Sequence, residues 1–289
     1  MIRKYLIAKL VLEIDFENDK VFEERLSGYL IEDNMESDIR INIASTSDDI
    51  EVRIKNLIRL SDIAYFYEGK TNDEYFYYDT GISKAVGKII FSKDYKNIDI
   101  ALYELGGVYG VKDDMLMFNV VNTAVSYAIQ MHGGFVFHSS SVCYKDAGVA
   151  FSAVSGTGKS THTSLWLNNF DGSYILNDDT PIICLGKDDK FYISGTPWAG
   201  TTGINKNATV PLKAIVFLER GKENEITPLS PIEAMAPFFE GIRTPLTDNM
   251  FSKVLDTLNK LFTNIPVYRL KCNMDPEAAI VAHDAIFGK

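Results

Sequence analysis

The fold of this chain is decided by the stretch Phe151-Ser-Ala-Val-Ser-Gly-Thr-Gly-Lys-Ser-Thr161. An apolar run that predicts a strand leads into it, and residues 161–167, which are typical of a helix, follow it. The order of strand, glycine-rich loop and helix is the context in which such a motif binds phosphate groups. The spacing follows the pattern G-x-x-x-x-G-K-[ST], except that Ala153 stands in its first position.

The residue types of this loop match the needs of a polyphosphate anion. Glycines let successive backbone N–H groups curl around the anion, and the N-terminus of the next helix adds about half a positive charge. Lys159 would reach the terminal phosphates, and the hydroxyl of Ser160 would bind Mg²⁺. We therefore expect ATP and Mg²⁺ as ligands. The expected nucleotide-binding residues are Ser155, Gly156, Thr157, Gly158, Lys159, Ser160 and Thr161.

Two further points concern the loop. An alanine at position 153 is compatible with phosphate binding if its backbone keeps a negative φ. The alternative interpretation is a glycine-rich turn that happens to contain Lys-Ser, or a loop that binds only inorganic phosphate. The strand and helix patterns on either side favour the nucleotide-binding interpretation.

Composition limits the classes of protein. The chain has 289 residues, 46% of them hydrophobic and 24% charged, which is ordinary for globular domains. Its net charge of −10 does not favour nucleic acid as a partner. Three widely spaced cysteines predict reduced thiols, and the sequence contains no uninterrupted apolar run of membrane-spanning length. We expect a cytoplasmic protein without a membrane partner.

The first part of the chain is predicted to be a small β-rich accessory domain, residues 1–110. Alternating and aromatic segments recur there, separated by clusters of turn residues. The dense tyrosines and phenylalanines are more typical of cross-strand packing than of an aromatic binding platform. The predicted strands are Tyr5 to Ile14, Ile39 to Ile43, Ile63 to Tyr67, Glu74 to Tyr78, Lys88 to Ser92 and Ile98 to Tyr103.

Residues 111–289 are predicted to form an α/β domain around the glycine loop. Apolar spacing predicts a long helix over Asp113 to Met131, followed by a strand from Phe135 to Tyr144 and a hairpin turn at Lys145-Asp146. Further strands are predicted at Ser173 to Asn177, Ile182 to Leu185, Lys190 to Ser194, Lys213 to Leu218 and Pro266 to Leu270. Further helices are predicted at Pro231 to Gly241, Thr247 to Phe262 and Asp275 to Phe287.

A pair of carboxylates, Asp178-Asp179, follows a short predicted strand about twenty residues past Lys159. Ligands of open α/β sheets lie at the carboxyl ends of strands, so one acid can hold Mg²⁺ and the other can take a proton from an attacking hydroxyl. Adjacent side chains diverge, so only one acid should face the metal. The alternative is a plain turn before Pro181.

His138 is the third candidate. It lies within the predicted strand that precedes the loop strand, and alternation puts it opposite Phe137. A histidine in such a strand is commonly a packed core residue, but beside an acidic pair it can tune or relay a proton. His162, just after the loop, is predicted to lie on the helix surface.

His138, the loop Ser155 to Ser160 and Asp178-Asp179 occur in the order and rough spacing of one known family. In these motifs the chain resembles the HPr kinase/phosphorylase-related kinases, which have the phosphoenolpyruvate-carboxykinase-like P-loop fold. The likeness covers roughly residues 130–200 and is looser to residue 289. It implies an α/β (α+β) catalytic domain with a mixed sheet, preceded by a smaller β-rich N-terminal domain.

The same resemblance implies an ATP-dependent kinase that transfers a phosphoryl group to a serine hydroxyl of a protein or peptide. Asp178 would be the catalytic base with His138 nearby, Lys159 would bind phosphate, and Ser160 and Asp179 would hold Mg²⁺. Related catalytic domains assemble, so a homo-oligomer stays open. Carboxykinase activity is not expected, because the chain is too short and lacks a suitable Lys-plus-His metal pair.

Two alternatives stay open for the function. One is a small-molecule kinase, for instance of a free amino acid. The other is a nucleotide-binding regulator without transfer activity.

Additional positive charge is expected near the transferred phosphoryl group. Arg220 is the first candidate, because it follows a predicted buried strand, and Lys206 and Arg243 are the others. The loop Gly195 to Gly203 is predicted to cover the site, with Trp198 either stacking on a base or packing in the core.

Overall fold

The computed structural model describes residues 1–17, 20–32, 34–52, 57–61, 63–79, 84–103, 113–200 and 202–288. The chain forms two compact units, Met1–Met131 with Leu246–Asp248, and His132–Pro245 with Asn249–Lys289. The predicted domain boundary at residues 110–111 and the composition shift at Gly106-Gly107 lie outside the described residues. Both units are built on mixed sheets, so the fold belongs to the mixed α/β class that the sequence predicts.

The first unit contains a mixed sheet of nine strands. Its members are β1 (Ile2–Ile7), β2 (Leu10–Asp15), β3 (Leu30–Ile31), β4 (Ile39–Thr46), β5 (Ile58–Arg59), β6 (Ala64–Glu68), β7 (Asn72–Asp79), β8 (Lys84–Ser92) and β9 (Asn97–Tyr103). They lie in the order β3-β1-β2-β4-β9-β8-β7-β6-β5. The pairs β2–β4 and β4–β9 are parallel, and the other pairs are antiparallel.

Two helices accompany this sheet, α1 (Lys20–Leu26) and α2 (Asp113–Met131). The hydroxyl of Tyr77 on β7 donates to Thr123 on α2, and the rings of Tyr75 and Tyr127 have centroids 5.6 Å apart. Phe66 and Phe76 are fully buried. The aromatic segments of this unit therefore pack the sheet against its helix, which is the structural one of the two predicted roles.

One predicted strand of this unit is wrong in its extent. The segment Tyr5 to Ile14 is a hairpin of β1 and β2, with Ala8 and Lys9 at its turn. Both turn residues have positive φ, 52° and 66°. Such turns are dominated by glycine, asparagine and aspartate, and the sequence lacks these residues at that position. The short helix α1 was also not predicted.

The second unit contains nine strands. They are β10 (Gly134–Val136), β11 (Ser139–Tyr144), β12 (Ala147–Ser152), β13 (Tyr174–Asn177), β14 (Ile182–Leu185), β15 (Phe191–Ser194), β16 (Thr209–Arg220), β17 (Glu225–Pro228) and β18 (Val267–Cys272). Seven of them lie in the order β10-β14-β15-β16-β12-β11-β13, while β18 pairs with β16 and β17.

Three neighbouring strands in this sheet are parallel. β12 and β18 each pair with β16 in parallel, and the other pairs are antiparallel. The carboxyl ends of β12, β16 and β18 therefore meet at one edge of the sheet, which is where open α/β sheets bind ligands. The glycine loop follows β12 at this edge.

Four helices belong to the second unit, α3 (Lys159–Asn169), α4 (Pro231–Glu240), α5 (Asp248–Asn264) and α6 (Glu277–Phe287). They match the predicted helices within a few residues. A buried apolar cluster joins the sheet to α3 and α6, and it contains Val142, Val149, Phe151, Trp166, Val216, Leu270, Ala279 and Ala282. Within the described ranges, no helix has both the length and the apolar character needed to cross a membrane.

Candidate active site

The predicted phosphate-binding loop spans residues 153–158, between β12 and α3. Gly156 and Gly158 have φ of 77° and 117°, a region that residues with a Cβ rarely adopt. Ala153 is not among the described non-glycine residues with positive φ, so a methyl group is tolerated there. Gly158 caps α3 and has no side chain to bond its first N–H groups. These N–H groups are therefore left for an anion.

The ammonium group of Lys159 lies against the loop. Nζ donates to the carbonyl of Ala153 at 3.1 Å and contacts Nε2 of His138 at 3.0 Å. Burial lowers the pKa of Lys159, while the carboxylates of Asp179 and Asp178 act in the opposite direction. The lysine therefore lies between the loop and the two predicted acids, where it can reach a bound phosphate.

His138 connects Lys159 to Asp179. An ammonium group has only donors, so Nε2 of His138 accepts from Lys159 and the ring proton lies on Nδ1. Nδ1 is 3.2 Å from Oδ1 of Asp179, and the His138 side chain is 43% exposed. Lysine, imidazole and carboxylate thus form one continuous chain of polar contacts.

The backbone around His138 differs from the prediction of a single strand. Phe135 to Tyr144 is divided into β10 and β11, and His138 lies in the break between them. Its N–H donates to the carbonyl of Gly241 at 2.7 Å, outside both ladders. The break lets the histidine side chain reach the loop lysine, although the residues Phe137 to Ser139 carry no glycine or proline that signals it.

Asp178 is almost completely buried, with 7% of its surface exposed. Its Oδ1 accepts from the hydroxyl of Ser140 at 2.7 Å, and its Oδ2 accepts from the hydroxyl of Ser160 at 3.2 Å. Ser140 in turn lies 3.1 Å from the hydroxyl of Thr163 on α3. Asp178 is therefore fixed beside the hydroxyl that is predicted to bind Mg²⁺.

A buried asparagine sets the directions of the two acids. Oδ1 of Asn177 accepts from the N–H groups of Asp179 at 2.9 Å and Thr180 at 2.7 Å, which closes a tight turn. Its Nδ2 donates to the carbonyl of Thr196 at 3.0 Å. This turn points Asp178 at Ser160 and Asp179 at His138. The residues after β13 therefore form a turn, as one alternative predicted, and the same turn holds the two acids of the predicted site.

These side chains meet at a cavity of about 390 Å³ in the second unit, called here the central pocket. Gly200 forms part of its wall with φ of 61°, and a Cβ built there would lie 3.0 Å from Cβ of Asp179. Ala199 and Thr202 also line it, so part of the predicted covering loop lies at the site. The predicted residues that line it are His138, Ser155, Gly156, Gly158, Lys159, Ser160, Thr161, Asp178 and Asp179.

Two other cavities adjoin the loop. The side cavity, about 390 Å³, shares His138 and Ser155 with the central pocket, and its other walls include Val154, Phe217 and Glu240. The strand-end cavity, about 500 Å³, lies at the carboxyl ends of β16 and β18. Thr157 and Arg220 line the strand-end cavity and not the central pocket.

The predicted positive side chains Arg220 and Lys206 do not line the central pocket. Arg220 ends β16 as predicted, and its guanidinium donates to the carbonyl of Gly156 at 2.6 Å. Nζ of Lys206 lies 3.9 Å from the ring centroid of Tyr174, and Lys206 does not line the central pocket. Trp198 is buried, and its carbonyl accepts from Asn177 at 3.3 Å. It follows the core-packing alternative of the prediction.

The prediction that His162 lies on the helix surface is wrong. The residue is 3% exposed, and burial lowers its pKa to about 4. Nε1 of Trp166 donates to its Nε2 at 3.2 Å. His162 and Trp166 are one turn apart on the face of α3 that packs on the sheet, so the spacing to Trp166 was the signal that could have placed it.

The polar atoms of the central pocket suit a magnesium ion. Ser160 and Asp178 offer a hydroxyl and a carboxylate oxygen, which are the hard ligands that Mg²⁺ prefers. Within the described part of the chain, no group of three or more His, Cys, Asp or Glu side chains is arranged to hold a metal ion. A magnesium ion at this place would take its remaining ligands from phosphate oxygens and water, as such ions usually do.

Comparisons with known proteins give one family. The family model described as "ScmC: SynChlorMet cassette protein ScmC" matches residues 110–277, more than half of the chain. No curated protein matches the chain. Among solved structures, the Hpr(Ser) kinase/phosphatase from Coxiella burnetii is similar at 14% identity and a TM-score of 0.29, over 52% of this chain and 95% of that one. A likeness at this level carries no information about activity.

Proposed function

The chain belongs to the family of SynChlorMet cassette protein ScmC, and we propose that it is an ATP-dependent kinase. The proposed reaction transfers the γ-phosphoryl group of ATP to a hydroxyl, with a serine of a peptide or protein as the acceptor. One observation carries this proposal. Lys159 and Ser160, at the start of α3, share a single pocket with Asp178, Asp179 and His138. Phosphate binding alone needs only the loop, whereas the acids and the histidine are the groups that proton transfer requires.

The nucleotide would bind through the loop. The N–H groups around Gly156 and Gly158 and the first turn of α3 would hold the phosphate chain, and Lys159 would exchange its contact with His138 for a phosphate oxygen. Ser160 and Asp178 would hold Mg²⁺, which supplies charge neutralisation on the phosphate oxygens when it is bound. These contacts would orient the terminal phosphate toward Asp179.

The contacts favour the reverse of the predicted roles for the two acids. Both oxygens of Asp178 are engaged by serine hydroxyls, one of them the predicted magnesium ligand Ser160. Asp179 has a side chain that is 33% exposed and contacts His138. We therefore assign Asp178 to the metal and Asp179 to the proton.

The proposed chemical step is a single displacement. The acceptor oxygen forms a bond to the γ-phosphorus, the bond to the β–γ bridging oxygen breaks, and ADP leaves with its electron pair. The hydroxyl proton passes to the carboxylate of Asp179. His138 donates from Nδ1 to that carboxylate and positions it. The N–H groups of the loop stabilise the charge that develops on the phosphate oxygens.

The side cavity offers an approach for the acceptor. It shares His138 and Ser155 with the central pocket, so a group bound there adjoins the proposed proton acceptor. Its apolar walls include the side chains of Val154 and Phe217, and Val154 is strongly exposed. A peptide that places a serine over the loop can cover this apolar surface, which supports a peptide or protein acceptor.

A free amino acid is the second candidate acceptor. Glu240 lines the side cavity and would attract an ammonium group. Glu219, which also lines this cavity, is paired with Arg269 at 2.8 Å. A free serine carries such an ammonium group together with its hydroxyl. The carboxylate at Glu240 is the specific observation in favour of this substrate.

An acceptor screen tests the proposal. The purified protein is incubated with Mg-ATP and either serine-containing peptides or free hydroxyl amino acids, and phosphorylated products are identified by mass spectrometry. We expect product with the wild type and about 10³-fold less with Lys159→Ala, while the exposed control Lys187→Ala behaves as the wild type. Tight ATP binding without transfer to any acceptor would instead favour a nucleotide-binding regulator.

A further inference from the structure

The strand-end cavity is not explained by phosphoryl transfer. It measures about 500 Å³, and its walls include Leu165, Leu218, Arg220 and Met274. This size lies within the range of small-molecule sites, which combine apolar walls with a few polar groups. We propose that it binds the nucleoside part of the nucleotide, with the base between Leu165 and Met274. The proposal rests on the ATP site proposed above and extends it.

The cavity is continuous with the phosphate loop. Gly156, Gly158 and Thr161 line both the central pocket and the strand-end cavity. A phosphate chain that crosses these N–H groups would therefore have one end at Lys159 and the other in the strand-end cavity. The terminal phosphate must lie beside Asp179 for transfer, which leaves the nucleoside for the opposite end.

The topology supports the same place. Arg220 and Cys272 are register partners at the carboxyl ends of the parallel strands β16 and β18. The residues that follow them, Gly221, Asn273 and Met274, also line the cavity. Ligands of open α/β sheets bind outside the carboxyl ends of the strands. The cavity therefore lies where the fold presents a binding crevice.

His162 gives an independent observation. It lines the cavity at 3% exposure, and its Nδ1 has no hydrogen-bond partner in the structure. Nε2 accepts from Trp166, so the proton of the neutral ring lies on Nδ1. A buried N–H donor without an acceptor is costly. Nδ1 itself is enclosed, so a ring nitrogen of a base or a ribose oxygen would provide the missing acceptor once the ring tilts toward the cavity.

The exposed side chain of Met274 favours a flat apolar ligand in this cavity. Its side chain is 76% exposed at the edge of the cavity, beside the partly buried Leu165. A stacked base would cover both side chains and remove apolar surface from water. Inorganic phosphate or a bare polyphosphate would leave this surface exposed, so the cavity favours a nucleoside triphosphate as the ligand of the loop.

Calorimetry with two ligands tests the inference. Mg-ATP and Mg-tripolyphosphate are titrated into the wild type, Leu165→Trp, which fills the cavity, and Met274→Ala, which removes an exposed wall. Ile232→Ala is the matched control, because Ile232 is 86% exposed and does not line the cavity. We expect ATP to bind the wild type at least about tenfold more tightly than tripolyphosphate.

The variants distinguish the contribution of the nucleoside to binding from that of the phosphates. Leu165→Trp and Met274→Ala are expected to weaken ATP binding, Met274→Ala by about threefold, and to leave tripolyphosphate unchanged. Equal affinity of the wild type for both ligands, or equal loss of both in the variants, would overturn the inference while leaving the proposed kinase intact. Failure of the kinase proposal has a different signature, in which ATP is preferred but no acceptor is phosphorylated.

Discussion

The central pocket and the strand-end cavity lie on the two sides of one glycine loop, yet their chemistry differs. The central pocket combines a chain of polar contacts, Lys159 to His138 to Asp179, with a second carboxylate, Asp178, that accepts from Ser160. Among the described residues, the strand-end cavity has no carboxylate in its lining, and it combines apolar walls such as Leu165, Leu218 and Met274 with Arg220 and the buried ring of His162. The difference fits the two proposals, in which the central pocket carries out phosphoryl transfer and the strand-end cavity binds the nucleoside.

Among the substitutions considered, removal of the Lys159 side chain should cause the largest loss of ATP turnover. Lys159→Ala deletes the cation that faces both acids and the loop. We expect the turnover of ATP to fall by about 10³-fold, because positioned charges contribute on this scale to phosphoryl transfer. Steady-state ADP formation with an acceptor measures the loss. Turnover within a factor of two of the exposed variant Lys187→Ala would contradict the central pocket as the reaction site.

Substitution of the two acids should change different kinetic quantities, namely the Mg²⁺ requirement for Asp178 and the rate at saturating Mg²⁺ for Asp179. Asp178→Asn is expected to raise the Mg²⁺ concentration needed for half-maximal rate, because Asp178 adjoins Ser160. Asp179→Asn is expected to lower the rate at saturating Mg²⁺ by about 10²-fold or more, the usual contribution of a general base. Magnesium titrations of both variants, with the exposed Asp171→Asn as control, provide the measurement. An exchange of these signatures would restore the roles predicted from the sequence.

A substitution at Gly200, which lines the central pocket, should cause a smaller loss of rate. Gly200→Ala is expected to displace Asp179 and lower the rate of transfer by about tenfold, since a slight misplacement of a catalytic group is costly. Gly203→Ala is the matched control. Gly203 has a similar φ, 68° against 61°, but a Cβ there would meet nothing within 4 Å. Equal rates in the two variants would show that contact with Asp179 is not needed.

In the strand-end cavity, protonation of His162 should lower the free energy of unfolding and should not change the rate of phosphoryl transfer. Burial lowers its pKa to about 4, below the ordinary value of about 6.5. The unfolded chain therefore binds a proton that the folded chain does not, and the free energy of unfolding should fall as the pH falls from about 6.5 toward 4. The expected loss is about 2–3 kcal/mol. Urea unfolding of the wild type and His162→Gln at several pH values measures it, and an identical pH dependence in both would contradict the assignment.

The sequence predicted the parts of the fold that local patterns determine. The turn at Lys145-Asp146 was predicted because polar residues separate two clear strands, and both residues have positive φ, 49° and 58°. The turn at Ala8-Lys9 also has two positive φ values, but it contains no glycine, asparagine or aspartate, so the hairpin was missed. Helix α2 was predicted from apolar spacing, and α3 to α6 were predicted from helix-compatible runs of sequence.

The candidate site was predicted in its residues but not in its contacts. Lys159, Ser160, Asp178, Asp179 and His138 come together as the motif order indicated. The break in the chain at His138 and the bonds from Asn177 to Thr196 depend on partners remote in sequence. No local pattern reports such tertiary contacts, so the directions of the two acids and the burial of His162 could not be derived from the sequence.

We propose that the pocket of Lys159, Ser160, Asp178, Asp179 and His138 transfers a phosphoryl group from ATP to a hydroxyl. The most direct test measures ADP and phosphorylated acceptor in the same reaction for the wild type, Lys159→Ala and the exposed control Lys187→Ala. Equal amounts of the two products are expected for the wild type and Lys187→Ala, and a loss of both products is expected for Lys159→Ala. Undiminished transfer by Lys159→Ala would contradict phosphoryl transfer in this pocket.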